Sequence, residues 1–84
     1  MHLYVAYLGG ELGSGRMGED HEVVFVVAED MPSARRAARA KWGGDGQAHV
    51  DALTRLDRID GYAIDLGRQG AGDGDDTETE GYNA

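Results

Sequence analysis

Two segments near the start of the chain are hydrophobic at almost every position. In HLYVAYLGG, Leu3, Val5 and Tyr7 share one side of an extended strand, and Tyr4, Ala6 and Leu8 share the other. HEVVFVVAE repeats the pattern, with Val23, Phe25 and Val27 alternating with Val24, Val26 and Ala28. Strands apolar on both sides are the pattern of a sheet covered on two faces. The period then changes. In EDMPSARRAARAKWGG, Ala34, Ala37, Ala38 and Trp42 recur at helical spacing and predict an amphipathic helix. Asp30 fits the N-cap, Pro32 the first turn, and Gly43-Gly44 the stop. The small alanines let the helix sit close on a sheet, and Trp42 supplies most of its apolar area. Arg35, Arg36 and Arg39 point away from that stripe.

The run HVDALTRLDRIDGY, residues 49–62, predicts a β-hairpin whose turn signal is Asp60-Gly61. A two-residue loop would set Leu56 against Asp65, mixing apolar and charged residues on each face. A three-residue loop, Ile59-Asp60-Gly61, pairs Arg58 with Tyr62 and sets Leu56 against Ile64. One face then holds Val50, Ala52, Leu56, Tyr62, Ile64 and Leu66. The other holds His49, Asp51, Arg55, Asp57 and Asp65, with Leu53 as an apolar exception. A buried face specifies register, so the three-residue loop is the expectation.

Two glycine-rich stretches frame these elements. GGELGSGRMGED has five glycines in twelve residues and predicts a flexible loop. Residues 67–84, GRQGAGDGDDTETEGYNA, show no periodicity and carry five acids against one arginine. With Tyr82 as its only large apolar residue, this segment cannot offset its ordering entropy, and it predicts a disordered acidic tail. A single domain over residues 1–66 remains.

Composition narrows the function classes. Sixteen Asp and Glu against eight Lys and Arg give a net charge of −8. That opposes non-specific binding to a phosphate backbone. Seven arginines with one lysine, beside abundant aspartate, fit either a salt-adapted proteome or a GC-rich genome with an acidic tail. No cysteine excludes disulfides and thiolate metal sites and leaves the redox compartment unread. No apolar run is long enough to span a bilayer, and the N-terminus lacks the basic and apolar regions of a secretory signal. The expectation is a soluble cytoplasmic protein with no membrane association. So small a domain is marginal alone, and oligomerisation is its available reinforcement.

Candidate chemistry is sparse. His49 and Asp51, two apart on one strand, project the same way, and His21 or His2 supplies a third ligand in a Zn, Mn or Fe reading. The competing reading is an aspartate holding a histidine by a hydrogen bond. An acid–base site with His49 oriented by Asp51 lacks a nucleophile motif: the serines are Ser14 in the glycine-rich loop and Ser33 at the helix start. LGGELGSGRMG has neither the Gly-Lys-Ser/Thr of a P-loop nor a dinucleotide fingerprint. Arg35, Arg36, Arg39 and Lys41 could meet phosphate from one helix, but local neutralisation of Glu29, Asp30 and Asp45 is the favoured account. The acidic tail could also lie against this helix and be released by salt.

The series MHLYVAYLGG, HEVVFVV, KWGG, HVD and IDGY resembles a family of short bacterial proteins, domain-of-unknown-function family 1543. The likeness spans about residues 1–66. Tyr7, Leu8, Gly9 and Gly10, then His21, then His49 and Asp51, then Asp60, Gly61 and Tyr62 match the family's motifs. The resemblance implies no chemistry. Some members carry the domain twice, which implies that a single-copy chain pairs with itself.

The expected fold is α+β in ββαββ order, with one helix on a mostly antiparallel four-stranded sheet. A crossover from the second strand through the helix to the third would make those strands parallel. One helix covers one face, so a second copy or the glycine loop must cover the other. Interface candidates are Tyr4, Leu8, Val24, Val26 and Leu53. The expected function is a small non-enzymatic, cofactor-free, homodimeric interaction module. The alternatives are ligand or metal binding through His21, His49 and Asp51, and nucleic-acid contact through Arg35, Arg36 and Arg39.

Overall fold

The computed structural model describes residues 1–11, 20–67, 70, 72, 74–78 and 80. The elements are β1 (His2–Glu11), β2 (Asp20–Ala28), α1 (Met31–Ala40), β3 (Asp45–Leu56), β4 (Arg58–Ile59) and β5 (Tyr62–Ala63). The glycine-rich run at 12–19, with Ser14, lies outside the described residues, as does part of the segment 67–84.

The α+β class holds, but the strands divide differently from the expectation. A three-stranded sheet in the order β2-β1-β3 stands beside a separate two-stranded ribbon, β4-β5. β1 is central and antiparallel to both neighbours, so β2 and β3 run in the same direction with β1 between them. The chain passes from β2 to β3 through α1, which packs on all three strands of the sheet. β1 runs on through Gly9 and Gly10 to Glu11, where the sequence suggested an end. These glycines admit close neighbours within the strand instead of ending it.

The helix begins as its sequence predicts. Asp30 is extended, and its carboxylate accepts from the Ser33 N–H at 2.9 Å. Pro32 falls in the first turn, where no backbone donor is lost. Ala34 and Ala38 are fully buried, and Ala37 and Trp42 pack against them. The helix tightens at its end, with Lys41 N–H donating to Ala38 O and Trp42 N–H to Arg39 O. It therefore stops before Gly43-Gly44.

The core occupies one face of the sheet. Tyr4, Ala6 and Leu8 of β1, Val26 and Ala28 of β2 and Ala48 of β3 are buried against the helix. Val24, Val50 and Leu53 complete that layer. In β3, Tyr7 pairs with Ala52 but Leu8 pairs with Val50, leaving Asp51 as an extra residue. This bulge switches the side on which successive residues fall. Val50 and Leu53, odd partners in a regular strand, therefore both face the helix. The apolar Leu53 that broke the expected alternation is the signature of the bulge.

The hairpin register corrects the three-residue loop. Arg58 pairs with Ala63 and Ile59 with Tyr62, so the loop is Asp60-Gly61. Both loop residues have positive φ, 54° and 86°, the requirement of a type I′ turn. Against this register stands the pairing of Leu56 with Asp65. It disappears because Leu56 pairs with Leu3 in the main sheet, and the chain leaves that sheet before the ribbon begins.

Candidate functional site

Gly9 lies in the centre of the sheet with His21 opposite it on β2 and His49 opposite it on β3. These three positions form a row across the face that the helix does not cover. Without a side chain at Gly9, the space between the two histidines is open to Asp51. The bulge turns the Asp51 carboxylate into that space, 3.2 Å from His49 Nε2 and 3.4 Å from His21 Nε2. Tyr7 lies beside the row, and its ring stacks on His21 with centroids 4.9 Å apart and planes 2° from parallel. All three predicted ligand residues thus come together, on two strands. Each remains well hydrated, with side chains 35–55% exposed.

This geometry is an aspartate shared by two imidazoles. Among the described residues, no group of three or more His, Cys, Asp and Glu side chains is disposed to hold a metal ion. His2, the other histidine considered as a ligand, stands at the far end of β1, with its Nδ1 4.0 Å from Asp57. Asp57 is engaged there by Arg55 Nε at 2.9 Å, and this hydrogen bond raises the Arg55 guanidinium above its ordinary pKa.

An apolar field adjoins the polar row. Val23, Phe25 and Val27 of β2 and Tyr7 of β1 are 43–57% exposed, and Leu3 and Val5 of β1 lie opposite Val27 and Phe25 on the same side. These residues correct the choice of interface candidates. Tyr4, Leu8 and Val26 are buried under the helix, and Val24 and Leu53 pack against them, so none of the five lies on the open side. Alternation alone could not tell which parity the helix covers. Trp42 could have done so: its bulk requires a glycine beneath it, and Gly10 belongs to the even-numbered side of β1.

The basic helix positions are exposed. Arg35, Arg36 and Arg39 all face solvent, with Arg36 donating to Ser33 Oγ at 3.2 Å. Lys41, at the helix end, turns towards the sheet and donates to Phe25 O at 2.6 Å and to the Asp75 carboxylate at 2.9 Å. Among the described residues, the contact between the acidic segment and the helix end is made by Lys41 with Asp75. No helix among the described residues is long and apolar enough to cross a membrane.

No curated protein and no solved structure matches the chain. The family described as Domain of Unknown Function (DUF1543) matches residues 16–66, a span that contains β2, the helix, His21, His49, Asp51 and the hairpin. By this match over more than half of its length, the chain belongs to the DUF1543 family.

Proposed function

We propose that this chain is a small non-enzymatic interaction module that pairs with a second copy of itself through the open face of its sheet. One observation carries the reading: the helix covers one side of the sheet, while Tyr7, Val23, Phe25 and Val27 stand exposed together on the other. A contiguous apolar patch on a small domain marks an interface, and a two-fold pairing of identical patches closes it. The reinforcement would be substantial, since so short a chain buries little of its own surface. Native mass spectrometry of the untagged chain, purified without chelator, tests the reading. A bare dimer that becomes a monomer on Phe25→Asp is expected. A bare monomer for the native sequence sinks the proposal.

A second reading draws on the convergence of His21, His49 and Asp51 beside an apolar surface. A few placed polar groups next to apolar walls are what a small ligand uses for orientation and affinity. Under this reading the same spectrum carries an added stoichiometric mass, and His49→Ala removes it. Under the first reading, His49→Ala changes neither mass nor assembly.

A further inference from the structure

Among the described residues β2 is an edge strand, since the sheet order is β2-β1-β3. In an antiparallel pair, the N–H and C=O of one residue point to the same side, and successive residues alternate. Phe25 O accepts from Lys41 Nζ, which approaches from outside the sheet. The backbone of Phe25 therefore faces outward, as do those of Val23 and Val27. Their side chains are the exposed residues of the open face. Such an edge is a template for another strand, and proteins commonly guard it with lysine or a covering segment.

Both guards are present. Lys41 occupies the carbonyl in the middle of the edge. Its ammonium is held there by both oxygens of Asp75, at 2.9 and 3.2 Å. Asp75, Thr77 and Glu78 then line a cleft of about 500 Å³ together with Val23, Val24 and Phe25. Residues 75–78 thus face the strand across this cleft, and Asp75 and Glu78 oppose the approach of a second copy with the same charge.

We propose that the outer edge of β2 is a pairing surface for the same edge of a second copy, and that Lys41 with residues 75–78 is a strap holding it shut. Opening the strap lets residues 23–27 of two copies join antiparallel about an axis through Phe25. The sheets then become one continuous sheet. An exposed ion pair is readily screened, so salt releases the strap. This association uses backbone at the edge and is independent of side-chain pairing across the open face.

The test compares the native chain, the chain ended after Gly67, Lys41→Met and Asp75→Asn, at low and high salt. Sedimentation reads mass, and hydrogen exchange reads the amides of Val23, Phe25 and Val27. At low salt, truncation and Lys41→Met should add one concentration-dependent doubling of mass over the native chain, whatever its own baseline. The three amides should slow in the doubled species. Asp75→Asn should fall between, and high salt should bring the native chain towards the variants. Unchanged mass in both truncated and Lys41→Met chains overturns the strap. So does a doubling that leaves the three amides as fast as in the native chain. Failure of face pairing is read separately, as a native monomer.

Discussion

Gly10 lies so close beneath the Trp42 indole that a Cβ on it would sit 2.9 Å from Cζ2 of the ring. The α carbon of Ala48 closes the other side at 3.5 Å. Gly10→Ala should therefore push the indole from its place and cost about 1–3 kcal/mol, as overpacking does. Urea unfolding followed by tryptophan fluorescence measures both the loss and the shift of the ring. Unchanged stability and spectrum would show that the indole has room to move.

Leu8 has no exposed surface and sits between Val50 and the helix alanines. Leu8→Ala should cost about 2–5 kcal/mol, from lost burial and the space left behind. Small domains are stable by only about 5–15 kcal/mol, so this variant should melt far below the native chain. A loss under about 1 kcal/mol by denaturant titration would mean that Leu8 is not central to the core.

The Asp30 carboxylate is held below its ordinary pKa, first by the Ser33 backbone N–H, then by the Ser33 side chain, with Arg36 adding a smaller charge effect. A lowered folded pKa means that the charged form is favoured by folding. The contribution is complete above the unfolded value near 3.8 and declines as pH falls through the lowered folded one. Asp30→Asn keeps an N-cap acceptor but does not titrate. Comparing the melting temperatures of the two chains between neutral and strongly acidic pH should show the variant losing less on acidification. Parallel curves would remove Asp30 from the acid response.

Gly61, at φ +86°, has nothing within 4 Å of where a Cβ would stand. Space is therefore no obstacle to Gly61→Ala; backbone conformation is. The substitution should cost on the order of 1 kcal/mol. Because β4-β5 forms its own two-stranded sheet, the damage should stay local. Amide exchange should quicken at Ile59 and Tyr62 while the β1 amides keep their protection. Equal loss in both regions would mean that the ribbon and the main sheet unfold together.

The sequence was most informative where a local rule acted on local residues. Asp30, Pro32 and the alanine stripe predict α1 because capping, the φ of proline and the helical period each concern residues a few positions apart. The joining of His21, His49 and Asp51 was visible only as matching residue types. The glycine that leaves room between the histidines is on a third strand. Alternation alone points to the wrong hairpin loop, because it treats Leu56 as part of the turn's own strand pair. Its true partner, Leu3, lies at the other end of the sequence. The same distance hid the parity of the faces: Val23 and Val24 are equally apolar, and only the placement of Trp42 against Gly10 decides which is covered.

The central position of β1 also governs when the fold can form. As the chain leaves the ribosome, β1 and β2 emerge before β3, but a two-stranded hairpin is at best marginally stable in water. β1 gains its second partner from β3, in a register that runs from Asp45 opposite Glu11 to Leu56 opposite Leu3 and is whole only when Leu56 has been made. Closing so distant a pair is slow compared with forming the helix. β1 is thus enclosed on both edges only after β3 has been made, and nascent chains stalled before residue 45 should remain open to proteases.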